Sequence, residues 1–194
     1  MTATLGSGVA IISEVPRRPP SKLLDRDGLL AYAARVLASR SQSIGEMREK
    51  LKRRAAQSED VDEVLSRLKQ SGYLDDKRLA ASAANWRREN EGLGKVRVMR
   101  DLMARRVAPA VAKQATEDAF KGVDEVAMIE NFLARKYRGK DLGSLLTEEK
   151  YLASAYRRLR AAGFSTGNSI KVLKRYAAEA ERLEEAANED EIRE

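Results

Sequence analysis

Apolar side chains recur along this chain at helical spacing. Leu30, Ala33, Ala34 and Leu37 fall at i, i+3, i+4 and i+7, which gathers them on one side of a helix. Ile44, Met47 and Leu51 make a second stripe, and Val61, Val64, Leu65 and Leu68 a third. The second is opened by Ser43-Ile44-Gly45-Glu46, a capping box in which the Ser hydroxyl and the Glu carboxylate satisfy the first free N–H groups of a helix. The third runs into Gly72, a residue type that ends helices readily. Three short amphipathic helices are therefore predicted before residue 76, enough for a minimal bundle. Val and Ile are sparse and rarely alternate with polar residues, so strand signal is nearly absent.

The pattern then returns. Leu79, Ala83 and Trp86 lie fifty positions after Leu29, Ala33 and Val36, and Ile129 and Leu133 lie a further fifty on. Leu51-Lys52-Arg53-Arg54 is echoed by Leu102-Met103-Ala104-Arg105-Arg106 and by Leu159-Arg160-Ala161-Ala162. Leu65 and Leu68 are answered by Ile170 and Leu173, with a weaker Val111, Ala115 and Ala119 between them. An all-α fold of three tandem three-helix repeats is predicted, over 27–76, 77–122 and 123–178. A unit of this size needs its neighbours to bury a full apolar face. The second unit's third helix, around Ala110 to Phe120, is the least apolar, and the third unit carries a loop from Gly139 to Thr147.

The two ends differ from this body. Pro16, Pro19 and Pro20 crowd an N-terminal stretch that no helix tolerates, so residues 1–26 are read as a flexible arm. Residues 179–194 hold eight acidic and two basic side chains, a net charge of −6. The whole chain carries +7, so residues 1–178 carry +13 and the acidic tail conceals how basic the body is.

Composition narrows the chemistry sharply. The 194 residues include no Cys and no His. Disulfides, thiolate nucleophiles, imidazole bases and the usual zinc ligands are excluded together. No apolar run approaches the roughly 18 to 20 residues needed to span a bilayer, and Met1 to Ile12 makes a poor signal peptide. An intracellular, cytoplasmic protein without cofactor, metal or catalytic residues is expected.

Several motifs have a structural and a functional meaning. Gly72-Tyr73-Leu74-Asp75-Asp76 reads as a helix stop, two residues packed in a junction and an aspartate cap for the next helix; the competing reading is a pair of metal-ligating carboxylates. Gly92-Leu93-Gly94-Lys95 reads as a turn, with contact to a DNA phosphate through its amides and Lys95 as the second reading. It lacks the frame of a P-loop. Trp86 sits on an apolar stripe and is expected in the core rather than stacked on a base, and Tyr137, Tyr151, Tyr156 and Tyr176 are expected in the core or at its boundary. Basic residues recur on the second helices: Arg48, Lys50, Lys52, Arg53 and Arg54; Lys95, Arg97, Arg100, Arg105 and Arg106; Arg157, Arg158 and Arg160. They are either solvated helix faces or a track for an anionic partner along one side of a stacked array.

Two of these motifs carry a family resemblance. Gly72 to Ala80 resembles the most recognisable motif of the RecX family, bacterial regulators of the RecA recombinase. Gly92-Leu93-Gly94-Lys95 through Leu102, followed by Arg105-Arg106-Val107, is similar to that family's second signature. Ser43 to Leu51 and Arg160 to Ser165 also fit, so the resemblance spans about Leu29 to Ala178. It implies an elongated, curved array lying in the groove of the RecA filament on single-stranded DNA. There it limits filament growth and suppresses ATP hydrolysis, strand exchange and co-protease activity, with consequences for DNA repair and the SOS response. On that reading the protein is a monomer, and Arg48, Lys52, Arg53, Lys95, Arg97, Arg100, Arg105, Arg106, Arg157 and Arg158 are the candidate contacts to filament or DNA. A general basic helical protein that binds nucleic acid without a recombinase partner is the alternative.

Overall fold

The computed structural model of the chain describes residues 23–177. The proline-bearing part of the predicted arm and the acidic tail 179–194 lie outside the described residues. Ten α-helices make up the described fold: α1 (Arg26–Ser39), α2 (Ile44–Lys52), α3 (Glu59–Gln70), α4 (Asp76–Trp86), α5 (Lys95–Ala104), α6 (Pro109–Ala119), α7 (Glu125–Lys136), α8 (Leu142–Leu145), α9 (Glu149–Ala162) and α10 (Thr166–Leu173). A π-helical turn, Arg87–Glu91, extends α4. Among the described residues there is no β-strand, only an isolated parallel bridge between Leu24 and Ala55.

The helices start and stop where local chemistry predicts. Ser43 caps α2 with the reciprocal Glu46 bond in place. Asp75 accepts the Arg78 N–H at the start of α4, and Gly72 follows α3 at φ +71°. Pro109 opens α6 at its first turn, where a missing N–H costs nothing. The loop at Gly139–Thr147 contains the short α8, capped by Asp141, and returns Leu146 to full burial.

Three separate apolar clusters form the interior. The first joins Leu29, Ala33, Met47, Leu51, Val61, Val64, Leu65, Leu68 and Leu74 from α1–α3 and the turn beyond. The second joins Leu79, Ala80, Ala84, Val98, Leu102, Val107, Ala112, Ala115 and Ala119 from α4–α6. The third is the largest, spans α7–α10, and includes Phe132 against Phe164, edge to face at 5.5 Å between ring centroids. Leu93 packs on both the second and the third. The second cluster is built largely from Ala, so α4 and α6 approach closely with little side-chain volume between them.

Two expectations about aromatic residues fail for one reason each. Trp86 is 53% exposed rather than in the core. On α4 the buried positions are Asp76, Leu79, Ala80 and Ala84, and at 3.6 residues per turn Trp86 stands roughly 100° around the helix from their mean direction. Tyr73 does not pack in the junction beside Leu74; it is 69% exposed while Leu74 is buried. The left-handed Gly72 turns the chain so that only one of the two successive side chains points inward. Tyr156 is buried, and Tyr137, Tyr151 and Tyr176 lie at the margin of the third cluster as expected.

Candidate functional site

The second helices α2, α5 and α9, which carry the basic residues, are joined end to end. At the C-terminus of α9 the carbonyls of Ala162 and Gly163 accept the N–H groups of Gly94 and Val96 at the start of α5, at 2.8 and 3.1 Å. The negative end of one helix dipole thus meets the positive end of the next. Backbone closeness is required here. A Cβ on Gly94 would strike the Gly163 carbonyl, and a Cβ on Gly163, itself at φ +88°, would strike the backbone of Arg97.

An equivalent junction links α5 to α2. The Ser43 hydroxyl donates to the Arg105 carbonyl at 2.5 Å, and a Cβ on Gly45 would collide with the backbone of Arg106. Arg105 reaches back to the Ser41 carbonyl at 2.9 Å and to Glu46 at 3.2 Å. Asp76, 9% exposed, accepts the Ile44 N–H at 2.8 Å across the same junction. Burial is the main cause that raises the Asp76 carboxyl above its ordinary value; the Ile44 N–H opposes this, while nearby Asp75 and Glu46 add to it. The C-terminus of α2 meets no further second helix. There the Arg54 carbonyl accepts the Leu24 N–H at 2.7 Å, and the Ala56 N–H donates to the Leu24 carbonyl at 2.8 Å.

These junctions sort the predicted contact residues. Arg97 bonds Asp101 at 2.9 Å and also points a guanidinium N–H at the Ala161 carbonyl. Arg105 belongs to the α2–α5 junction, and Arg106 lies 4.0 Å from Glu49 with its backbone at φ +58°. Arg48 pairs with Asp62 at 2.5 Å, and Arg158 stands over the Tyr137 ring at 5.9 Å. Lys52, Arg53, Lys95, Arg100 and Arg157 are exposed, with no hydrogen bond or ion pair among the described residues. Half of the predicted set therefore has a partner within the fold, Arg97 and Arg105 reaching across helix junctions, and the other half is exposed and unpaired.

The second, phosphate-contact reading of Gly92–Lys95 is narrowed by the same geometry. The Gly94 and Val96 amides already serve the α9 carbonyls, leaving the exposed Lys95 side chain as the part of that motif open to an anion. Sequence reasoning did not single out Arg135, which bonds the carbonyls of Asn90 and Glu91 and ties α7 to the π-helical turn. Nor did it foresee Glu125 at the start of α7. That carboxylate accepts the Ser165 N–H at 2.8 Å and the Ser165 hydroxyl and Asn168 amide at 2.5 Å each. Burial works to raise the Glu125 carboxyl, but these bonds together outweigh it and hold it below its ordinary value. Glu125 lies 40 positions before Ser165, so no local pattern announces the pair.

Among the described residues, no helix is long and apolar enough to cross a membrane. No protein-family model matches the chain. Individual relatives do. The regulatory protein RecX of Deinococcus radiodurans is 36% identical over 155 residues, covering 80% of this chain and 70% of that protein. The Thermus thermophilus RecX is 32% identical over 142 residues, 73% of this chain and 87% of the relative. The Escherichia coli RecX is 32% identical over 146 residues, 69% and 81% respectively. In fold, the chain is similar to the crystal structure of RecX from Lactobacillus salivarius, with a TM-score of 0.58 at 16% identity over 78% of this chain and 96% of that one. A second crystal structure of regulatory protein RecX gives a TM-score of 0.56 at 18% identity, over 76% and 72%.

Proposed function

The chain belongs to the RecX family of regulatory proteins, and from that premise we propose that it is a non-enzymatic regulator of the RecA recombinase. It lies in the groove of the RecA filament on single-stranded DNA and restrains ATP hydrolysis, strand exchange and co-protease activity in the cytoplasm. The three apolar clusters act as three stacked repeats, 27–76, 77–122 and 123–178, forming an extended array.

The observation that carries this reading is the end-to-end row of α2, α5 and α9. It spaces exposed, unpaired basic side chains over three consecutive units: Lys52 and Arg53, then Lys95 and Arg100, then Arg157. A filament also presents its surface as a repeat. A rigid row that meets successive protomers gains affinity from several weak contacts held at high effective concentration, without a deep pocket. The charge supplies attraction to DNA phosphates or acidic filament surface and makes binding fall steeply with salt.

The test is to add the protein to preformed RecA–ssDNA filaments and follow ATP hydrolysis and light scattering together. Both fall at well below one protein per RecA protomer if the reading is right. Unchanged hydrolysis at equimolar protein rejects it. Equal affinity for naked and RecA-coated strands favours the general nucleic-acid-binding alternative instead.

A further inference from the structure

A groove of 520 Å³ opens where the first and second clusters meet, between the α1–α2 connection and α4. Tyr73 and Trp86 line it, and they are the only aromatic side chains among the described residues that are more than half exposed. Placing a tyrosine and a tryptophan in water costs the burial each would otherwise contribute. The charged part of the lining is mainly cationic, Arg78, Arg87 and Arg105 against Asp75, although Arg87 is paired with Glu91 and Asp101 and Arg105 with Glu46. Ser41, Ser82, Leu79 and Ala83 complete the wall. Arg78 is anchored to the Gly72 carbonyl at 2.8 Å, and Arg105 to Ser41 and Glu46. A guanidinium has five N–H donors, so each anchored arginine keeps donors for a ligand while its position is fixed. Gln42 adds a second kind of signal. It is 2% exposed, lines the groove, and its Oε1 has no hydrogen-bond partner.

Flat apolar faces, fixed cations and an unspent amide acceptor together suit one ligand chemistry. A base supplies a ring to stack and a ring or exocyclic N–H group to donate, and the phosphates of its strand meet the arginines. We propose that this groove binds single-stranded nucleic acid, with bases stacked on Tyr73 and Trp86 and the backbone held by Arg78 and Arg105. It is a binding site separate from the exposed basic residues of α2, α5 and α9, and it requires no recombinase. An acidic peptide satisfies the arginines but leaves the two rings without a stacking partner.

Trp86 is the chain's one tryptophan, so its fluorescence reports on this groove alone. The full chain is titrated, without RecA, with an oligothymidylate of about 12 nucleotides. A strand of equal length made of abasic sites is the control, since it has the same phosphates and no bases. Oligothymidylate quenches Trp86 and binds tighter; the abasic strand does neither. By anisotropy of labelled oligothymidylate, Trp86→Ala and Tyr73→Ala each weaken binding roughly ten- to a hundredfold, and Trp86→Phe keeps most of the affinity. Both side chains are exposed, so circular dichroism of all three variants matches the parent. Equal binding of the two strands, or parental affinity in Trp86→Ala, overturns the proposal. So does a Trp86→Ala protein that binds DNA normally but loses RecA, which gives the groove to a protein partner. Because RecA is absent from the titration, failure here leaves the regulatory reading untouched.

Discussion

Asp76 and Glu125 each bridge helices distant in sequence, yet their surroundings act on them in opposite directions. Asp76 receives a single N–H and is buried beside Asp75 and Glu46, so its carboxyl is raised above 3.8. Its folded form takes up a proton more readily than the unfolded chain, and stability is lost as pH rises through the interval above 3.8. Glu125 receives three hydrogen bonds and its carboxyl is lowered below 4.5, so its contribution is complete above 4.5 and is lost as pH falls through the folded value. Urea unfolding from pH 3 to 7 separates the two. At neutral pH Asp76→Asn is as stable as the parent or more so, since the amide oxygen still accepts from Ile44, and the difference vanishes at the acid end. Asp76→Ala, by contrast, leaves that N–H unpaired and loses about 1–3 kcal/mol throughout. Glu125→Gln costs about 1–2 kcal/mol at pH 7, and less as the parent's own carboxyl protonates. An aspartate cap at Asp75 or Asp76 was legible in the sequence because a cap acts within four residues, and the structure gives it to Asp75. The actual role of Asp76 was not, because its partner is Ile44, 32 positions away.

Elements were read most accurately where the determinant is local. The Ser43–Glu46 box, the Gly72 stop and the aspartate cap of α4 all use contacts within one turn, and all appear, the cap falling to Asp75 rather than Asp76. Which way a helix faces is a tertiary matter. On α1 the deeply buried residues are Leu29 and Ala33, while Ala34, placed on the stripe by periodicity, is exposed. On α4 the same rotation brings Trp86 out. The meeting of α5 with α9 is likewise invisible as periodicity, although it is written in two glycines. Gly163→Ala forces a side chain into a left-handed backbone and against Arg97, and is expected to lose roughly 1–3 kcal/mol. Hydrogen exchange then accelerates at the Gly94 and Val96 amides first. Gly72→Ala is the control, for it shares the left-handed backbone at φ +71° but has open space around it. Its cost is only about 1 kcal/mol, without any change at Gly94. An equal loss in both variants would mean that backbone strain alone, and not the approach of α9 to α5, makes Gly163 necessary.

For the molecule as a whole, the basic surplus has two uses that composition could not separate. Arg97, through the Ala161 carbonyl, and Arg105 reach across helix junctions, whereas Lys52, Arg53, Lys95, Arg100 and Arg157 face solvent unpaired. Changing these five together to Gln is expected to weaken filament binding and flatten its salt dependence while leaving the melting temperature within a degree or two, since exposed charges contribute little to stability. Arg105→Gln shows the reverse, a lower melting temperature from a damaged α2–α5 junction. A quintuple variant with full affinity would move the contact surface away from the second helices. The end-to-end joining of these helices also has a consequence for assembly. A head-to-tail contact repeated without closing on itself leads to open-ended polymers. The C-termini of α9 and α5 each receive the start of another second helix, but that of α2 is already occupied by Leu24, hydrogen-bonded to Arg54 and Ala56. The chain's own entry segment is therefore an end cap. Another second helix could not meet the C-terminus of α2 without first displacing Leu24 from Arg54 and Ala56.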